Sequence, residues 1–367
     1  MQKRITLLLS LMMSLTIGAQ TQSYKRGYGI DQGKFSNSAI NYLSSGAGWY
    51  YDWSTSTYLN FEGAGVDFVP MTWNGDSNGL RQFLKSHPSI KYLLAFNEPN
   101  FLSQSKMTPK QAAAAWPALE AIADEFNLKI VSPAPNWCGE CVQENGTTYY
   151  SPYDWLRDFF AACPDCRVDH IAVHFYMGAM EAVKGSVDQL WNQFHKPVWL
   201  TEFNLDKNGF GDNGTIDEQR DFMVKMIDWM ERDEHVYRYA WFLGRGGIVS
   251  DLIASDGKTP TLLGNVYANM SSYDSNFYHA LDARIEAEHY IGMENISLVA
   301  STDEDGNLSI GYTGQGSRFA YQVDVPEAGT YPLTLRVAGE QDTYLDVYSD
   351  GAYLTTIVVP ATGGWTA

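Results

Sequence analysis

The stretch LLAFNEPNF, residues 93–101, joins an apolar run to a polar segment. The run from Leu93 to Phe96 has the length and composition of a buried β-strand. It stops at Asn97-Glu98-Pro99, because proline has no backbone N–H to donate within a sheet. The predicted strand therefore ends with an amide and a carboxylate side by side. A lone carboxylate at a strand end does not indicate a function, so a second one is needed.

Seven other short apolar runs alternate with helix-like stretches along the chain. The eight candidate strands are GYGI (27–30), WYYDW (49–53), VDFVPMTW (66–73), KYLLAFNE (91–98), LKIVSPAPN (128–136), HIAVHFY (170–176), PVWLTEFN (197–204) and YRYAWFLG (237–244). Strands that alternate with helices are typical of α/β proteins with a parallel sheet. Eight such units in about 250 residues predict a (β/α)8 TIM barrel over residues 24–275. A doubly wound sheet is the alternative, but no glycine-rich phosphate loop follows the first strand.

The remaining C-terminal segment has a different pattern. Residues 284–367 alternate with a period of two, as in SRFAYQVDV and YPLTLRV, and contain the turn signals Asp305-Gly306 and Asp350-Gly351. This pattern predicts a second, all-β domain, a sandwich.

The first 19 residues have the features of a signal peptide. Lys3 and Arg4 precede an apolar stretch from Ile5 to Ile17, and the small residues Gly18 and Ala19 follow. The stretch is shorter than a membrane span, and no later run approaches the roughly 18 apolar residues that a span requires. We therefore expect a secreted protein.

Charge and aromatic content restrict the partners. The formal net charge of −18 disfavours nucleic acid and anionic membranes as partners. The chain contains 11 Trp and 23 Tyr, more than a core of this size needs, and aromatic faces stack on sugars.

The second carboxylate is found at the end of the seventh candidate strand, in Thr201-Glu202-Phe203. Barrel active sites form at the C-terminal ends of the strands, so Glu98 and Glu202 are expected to meet there. Two carboxyl groups among aromatic side chains suit glycoside hydrolysis, which needs an acid and a nucleophile or base. The other residues predicted to face the same end and bind substrate are Trp73, Asn97, Asn136, Trp137, His174, Tyr176 and Trp241. The three tryptophans are either sugar platforms or core residues.

Five blocks of the sequence resemble glycoside hydrolase family 128, a family of clan A enzymes that cleave β-1,3-glucan. The blocks are GVDFVPMTWNG, LLAFNEPN, CPDCRVDHIAVHFY, KPVWLTEFN and DGKTPTLLGNVY, and they extend over roughly residues 25–272. The resemblance implies a retaining mechanism with Glu98 as acid/base and Glu202 as nucleophile. It also implies that Asn97 binds the sugar 2-hydroxyl and that catalysis needs no cofactor.

The C-terminal segment is similar to carbohydrate-binding module family 6, a β jelly roll, in the stretches IEAEHY, SIGYTGQGSRFAYQVDVPEAGTYPLTLRVA and TGGW. The similarity implies a structural calcium bound by Glu286 and Glu288, and sugar-binding aromatic residues at Tyr312 and Trp365. Modules of that family extend further than residue 367, so we expect an incomplete jelly roll.

The four cysteines lie in two pairs, Cys138/Cys141 and Cys163/Cys166. A thioredoxin-like motif, a shared zinc ion and two local disulfides are the alternatives. In a barrel the two pairs lie at opposite ends of a strand, about 20 Å apart, which is too far for one zinc ion. We therefore expect two local disulfides.

Taken together, these features predict a monomeric, secreted, retaining endo-β-1,3-glucanase that hydrolyses laminarin-like glucan. A clan A hydrolase of another β-glycan, such as mannan or galactan, is one alternative. A non-catalytic glycan-binding protein is the other, although the pair of glutamates argues against it.

Overall fold

The computed structural model describes residues 22–301 and 308–364. The predicted signal peptide and the predicted sugar-binding residue Trp365 lie outside these ranges. Among the described residues, no helix combines the length and the hydropathy needed to cross a membrane.

The α/β part of the chain is built on parallel strands. Its strands are β1 (Ser23–Gly29), β2 (Ala47–Tyr51), β3 (Asp67–Phe68), β4 (Tyr92–Leu94), β5 (Lys129–Val131), β6 (Gln143–Glu144), β7 (Thr147–Thr148), β8 (Ile171–Met177), β9 (Val198–Leu205) and β10 (Val236–Trp241). Six of them form one parallel sheet in the order β3-β2-β1-β10-β9-β8, and β4 pairs with β5 in a second parallel sheet. The short strands β6 and β7 form an antiparallel pair in a loop.

Two isolated bridges connect the two parallel sheets. Met71, just beyond β3, pairs with Leu94 in β4, and Val131 in β5 pairs with His170, just before β8. Both bridges are parallel, so each edge of the six-stranded sheet has a neighbour in the two-stranded sheet. The eight predicted strands are therefore all present, and they pair as parallel neighbours.

Helices follow the strands of the α/β part. They are α1 (Asn37–Leu43), α2 (Phe61–Ala64), α3 (Leu80–Ser86), α4 (Pro109–Phe126), α5 (Pro152–Ala162), α6 (Met180–Phe194), α7 (Ile216–Arg232) and α8 (Leu262–Asn269), with a 3₁₀ helix at Gln32–Lys34. Helices α4 and α7 each begin with a capping box, in which Thr108 pairs with Gln111 and Thr215 pairs with Glu218.

The strands are buried on both faces, as parallel sheets covered by helices usually are. In β2, Tyr50 belongs to the large cluster between strands and helices, whereas Trp49 and Tyr51 belong to a small inner cluster. The inner cluster combines residues from several strands and from the segments next to them: Trp49, Tyr51, Val69, Met71, Leu94, Val131, Ala134, Ala172, Trp199 and Ala240.

The C-terminal segment is made of β-strands, as predicted. They are β11 (His279–Ala280), β12 (Gly292–Glu294), β13 (Ser297–Ala300), β14 (Leu308–Gly311), β15 (Arg318–Ala320), β16 (Val323–Asp324), β17 (Thr343–Ser349) and β18 (Ala352–Val359). Among the described residues they pair two by two, as β11-β16, β12-β15, β13-β14 and β17-β18.

The first strands of this segment pack against the α/β part. Tyr290, Leu298 and Leu308 are buried in the same large cluster as the apolar side chains of α7 and α8. The Ser297 hydroxyl donates a hydrogen bond of 2.7 Å to Asp221 in α7. By contrast, the hairpin β17–β18 exposes many of its large apolar side chains.

This difference predicts a difference in stability. Leu298→Ala removes a side chain with no exposed surface and is expected to cost about 2–5 kcal/mol, lowering the melting temperature of the full chain. Leu354→Ala is the matched control, because Leu354 in β18 is 61% exposed and its loss should change the melting temperature little. Thermal unfolding measured by circular dichroism compares the two, and equal melting temperatures would contradict the packing described here.

Candidate active site

The two predicted glutamates come from segments that the fold brings together. Glu98 lies four residues after β4, and its backbone N–H donates to the carbonyl of Ala134 at 3.0 Å. Its φ of +39° lies in the left-handed region, which non-glycine residues seldom adopt. Glu202 lies inside β9, directly opposite His174 in β8. The pairing of β8 with β9 therefore places His174 beside Glu202.

The carboxylate of Glu98 is almost fully buried and accepts two hydrogen bonds at one oxygen. Asn136 Nδ2 donates to its Oε1 at 3.1 Å, and His174 Nδ1 lies 2.9 Å from the same atom. These contacts place Asn136 and His174 beside Glu98.

The carboxylate of Glu202 is also buried and has polar neighbours at both oxygens. Its Oε1 is 2.9 Å from Trp53 Nε1 and 3.0 Å from the Tyr51 hydroxyl. Its Oε2 accepts a hydrogen bond of 2.5 Å from the Tyr176 hydroxyl and lies 3.3 Å from His174 Nδ1. Glu202 is thus surrounded by hydrogen-bond donors, which stabilise a carboxylate in its ionised form.

His174 connects the two glutamates. It is fully buried, and its Nδ1 is within reach of an oxygen of each carboxylate. Burial opposes the charged imidazolium, but the negative charges of Glu202 and Glu98 outweigh that effect, so the pKa of His174 is raised. One oxygen of Glu98 and one oxygen of Glu202 lie within 4.8 Å of each other.

Burial also changes the acidity of the other groups. It raises the pKa of the Glu202 carboxyl, and the charge of Glu98 adds to that increase, whereas His174 and the donors Tyr176 and Trp53 oppose it. The pKa of the Tyr176 hydroxyl is raised well above its usual value by burial and by the two carboxylates. Tyr176 therefore acts as a donor to Glu202 and stays protonated at neutral pH.

Comparison with known families identifies what kind of protein carries this pair of carboxylates. A family model described as the glycosyl hydrolase catalytic core matches residues 27–267, which is more than half of the chain. The chain belongs to that family. A second family model, carbohydrate binding module (family 6), matches residues 286–367 of this glycoside hydrolase.

Solved structures confirm the resemblance to glycoside hydrolase family 128. A subgroup II endo-β-1,3-glucanase from Sorangium cellulosum is 35% identical, with a TM-score of 0.58, and the match covers 66% of this chain and 97% of that one. A subgroup I endo-β-1,3-glucanase from Amycolatopsis mediterranei, solved in complex with laminaritriose, is 30% identical, with a TM-score of 0.53. That match covers 66% of this chain and 98% of the other.

The glycoside hydrolase also matches alkali-sensitive linkage protein 1 of Schizosaccharomyces pombe (strain 972 / ATCC 24843). The two are 28% identical over 249 residues, which is 64% of this chain. The match spans only 43% of that relative's length.

Three further predicted substrate contacts lie in the segments around the glutamates of the hydrolase. Asn97 is buried next to Glu98, and among the described residues its Oδ1 has no hydrogen-bond partner. Trp73 is half-buried against the inner cluster, and its carbonyl accepts the N–H of Asn97 at 2.9 Å. Trp137 follows Asn136 and is 48% exposed, so part of its indole is open to solvent.

The structure corrects the prediction for Trp241. Its side chain has no exposed surface, its Nε1 donates to the Ser250 carbonyl at 2.7 Å, and it packs against Phe203 and Tyr267. Trp241 belongs to the large cluster between strands and helices, because its side chain points away from the inner cluster. A sugar ring cannot stack on it there.

Sequence reasoning missed three aromatic residues of the site. Tyr51 and Trp53 contact Glu202 directly, and Phe242 packs edge-on against both Trp53 and Tyr176, with ring centres 6.0 Å and 5.6 Å apart. The available signal was the end of the second candidate strand, WYYDW, which reaches the same end of the sheet.

The residues predicted to bind sugar or calcium in the C-terminal segment differ in their exposure and in their contacts. Tyr312 is 71% exposed, and the guanidinium of Arg220 in α7 lies 5.4 Å from the centre of its ring. Glu286 forms an ion pair with Arg284 at 2.9 Å. Glu288 is fully buried, and among the described residues neither of its carboxylate oxygens has a hydrogen-bond partner.

Both expected disulfides are present. Cys138 is bonded to Cys141 and Cys163 to Cys166, with Cα–Cα distances of 5.6 Å and 5.3 Å. The backbone of Cys141 forms an isolated antiparallel β-bridge with that of Phe101, so the first disulfide loop lies against the segment that follows Glu98. The second disulfide lies between α5 and β8, before the start of that strand. The pairs are thus at opposite ends of the sheet, as predicted.

Two groups of described residues have the spacing needed to hold a metal ion. One is the set Glu98, His174 and Glu202, and the other is Asp188, Asp233 and His235. The first set coincides with the glutamate pair described above, and hydrolysis by glycosidases of this kind needs no cofactor.

Proposed function

We propose that this glycoside hydrolase is a secreted, retaining endo-β-1,3-glucanase, in which Glu98 is the acid/base and Glu202 the nucleophile. The observation that carries the proposal is the pair of buried carboxylates, with oxygens within 4.8 Å of each other, connected by His174. Two carboxyl groups that flank one bond are what glycoside hydrolysis requires.

The same proposal includes the fold of residues 24–275 as a (β/α)8 barrel. The bridges Met71–Leu94 and Val131–His170 support it, because they connect both edges of the six-stranded sheet to the β4–β5 pair. The inner cluster supports it as well, since side chains of alternate residues fill the interior of a barrel. Residues 1–19 are the proposed signal peptide, and residues 284–367 the proposed sugar-binding module.

Catalysis would take place in two displacements. In the first, Glu98 gives its proton to the glycosidic oxygen while Glu202 attacks the anomeric carbon, so the glycosidic bond breaks and a glycosyl ester forms. In the second, the Glu98 carboxylate takes a proton from water, which attacks the anomeric carbon and releases Glu202. The donors around Glu202 favour this assignment, because they stabilise the charged form that a nucleophile needs.

The separation of the carboxyl groups supports retention of configuration. Retaining enzymes hold them about 5–5.5 Å apart, whereas inverting enzymes leave about 6.5–9.5 Å for a water molecule. Oxygens within 4.8 Å of each other suit the shorter spacing.

The choice of β-1,3-glucan as substrate rests on the solved structures. The similar enzymes from Sorangium cellulosum and Amycolatopsis mediterranei are described as endo-β-1,3-glucanases, and one of them binds laminaritriose. Asn97, Asn136, Trp73 and Trp137 are the proposed substrate contacts. The half-exposed indole of Trp137 is open for stacking on a sugar.

A test of this function is incubation of the full chain with laminarin, β-mannan and β-galactan, followed by analysis of the released oligosaccharides. We expect short laminari-oligosaccharides from laminarin and no products from the other two. Oligosaccharides released only from mannan or galactan would show that another β-glycan is the substrate. If none of the three polysaccharides is cleaved, the result would indicate a glycan-binding protein without catalytic activity.

A structural calcium ion in the C-terminal segment belongs to the same proposal. Carboxylate oxygens are the ligands that calcium prefers, and Glu288 offers two that are buried without a hydrogen-bond partner among the described residues. Burial raises the pKa of Glu288 to about 7, and the charge of Glu286 adds to that increase, whereas the more weakly acting Arg284 opposes it. Glu286 is the second proposed ligand, although its present partner is Arg284.

We therefore expect calcium to raise the melting temperature of the full chain. At a hundred times its dissociation constant, the ion would add roughly 2.7 kcal/mol of stability. Glu288→Gln should remove the effect, whereas Glu294→Gln, at an exposed position in β12, should keep it. A melting temperature that is the same with calcium and with chelator would show that this segment holds no such ion.

A further inference from the structure

We propose that Trp53 is a positioning residue for Glu202, whose indole N–H holds the carboxylate in place and keeps it ionised. The inference rests on the proposed role of Glu202 as nucleophile. Its structural basis is the contact between Trp53 Nε1 and Glu202 Oε1 at 2.9 Å.

Trp53 differs from Tyr51 and His174 in the contact it makes with Glu202. The Tyr51 hydroxyl is 3.0 Å from Glu202 Oε1 and also 3.0 Å from the carbonyl of Thr201, and a hydroxyl has only one proton to donate. His174 Nδ1 is likewise near two acceptors, and it is closer to Glu98 than to Glu202. At Oε1, the indole N–H is the shorter of the two contacts, and unlike a hydroxyl it can act only as a donor.

The surroundings of Trp53 fix the direction of its indole. The ring packs against Tyr51 and Phe242, with ring centres 5.0 Å and 6.0 Å away. Gly29 in β1 leaves room for it, since a Cβ there would lie 3.1 Å from the indole. The backbone of Trp53 has a φ of +57°, a conformation that costs energy for a bulky residue and persists only where its surroundings impose it.

The chemistry of the indole gives this contact a measurable consequence. An indole nitrogen is a donor only, so it stabilises the carboxylate of Glu202 and cannot accept a hydrogen bond from the protonated acid. Removing it should make Glu202 harder to ionise, and the acidic limb of kcat/KM reports that ionisation in the free enzyme. The limb should therefore move to higher pH.

The experiment measures the pH dependence of kcat/KM on laminarin for the full chain carrying Trp53→Phe. We expect the acidic limb to shift to higher pH by about one unit. The free energy of a hydrogen bond to a charged group is at least as large as the free energy that corresponds to one pKa unit. Trp229→Phe in α7 is the matched control, because its Nε1 also donates to a carboxylate, that of Asp233, at 2.8 Å. Its acidic limb should be unchanged.

Two further measurements distinguish an error in the role of Glu202 from an error in the role of Trp53. Gly29→Ala retains the indole but crowds it, and it should move the acidic limb of kcat/KM to higher pH as well. This variant replaces Trp53→Phe in the experiment if Trp53→Phe does not fold. Trapping with a 2-deoxy-2-fluoro-laminaribiosyl fluoride and peptide mass mapping identifies the nucleophile in the wild-type chain. A label on another residue would overturn the role of Glu202. A label on Glu202 with an unmoved limb in Trp53→Phe and Gly29→Ala would overturn only the role of Trp53.

Discussion

Replacing Glu202 with glutamine is expected to lower kcat on laminarin by roughly 10⁴-fold or more, the scale seen when an enzyme loses its nucleophile. Glutamine has nearly the same shape, so Tyr51, Trp53 and Tyr176 keep a partner and the fold should be unaffected. No covalent intermediate can form on the amide, so the loss should appear with every substrate. Initial rates with laminarin and with an aryl β-laminaribioside measure it.

The control is Glu181→Gln, at an exposed position in the first turn of α6, which should retain the wild-type rate. A second measurement uses Glu202→Ala with added azide, which can occupy the space of the missing carboxylate. We expect partial recovery and an α-glycosyl azide product. A Glu202→Gln variant that keeps even a tenth of the wild-type rate would contradict the nucleophile assignment.

Replacing Glu98 with glutamine is expected to have an effect that depends on the leaving group. On laminarin, whose leaving sugar oxygen needs a proton, kcat/KM should fall by about 10²- to 10⁴-fold. On an aryl glycoside with an acidic phenol, kcat/KM should fall far less, because that leaving group departs without protonation. The comparison of the two substrates separates loss of an acid from general damage to the site.

Asn136→Ala gives a matched comparison. Asn136 donates a hydrogen bond to Glu98 Oε1, but its amide is not acidic enough to protonate the leaving group. We expect it to lower both rates by a similar, smaller factor. Equal losses on the two substrates in Glu98→Gln would mean that the acid/base is another residue.

Much of the α/β part could be predicted from the sequence, because the signals are local. Apolar runs of strand length and the break at Pro99 each act within a few residues. Glu98 and Glu202 could be paired because parallel strands bring their C-terminal ends to one edge of a sheet.

Side-chain direction is the property that the sequence did not reveal. In a strand that is buried on both faces, both faces are apolar, so the alternation that normally marks the inner side is missing. Trp241 and Ala240 are neighbours in β10, yet Ala240 joins the inner cluster and Trp241 the outer one. For the same reason, the segment WYYDW could be placed at the correct end of the sheet, but its sequence did not show which of its side chains turn toward Glu202.

The C-terminal segment shows a limit of a different kind. Its period-two pattern predicts strands correctly, but strand partners depend on contacts between distant residues. The burial of Tyr290 and Leu298 against α7 and α8 therefore could not be anticipated from that pattern.

The measurement that tests the central claim most directly is proton NMR of the anomeric signals during hydrolysis of a reduced laminari-oligosaccharide. A covalent intermediate on Glu202 requires two inversions at the anomeric carbon, so the β anomer should appear first and the α anomer only later, by mutarotation. Initial formation of the α anomer would contradict the account, because it would mean that water attacks the substrate directly and that Glu202 is not the nucleophile.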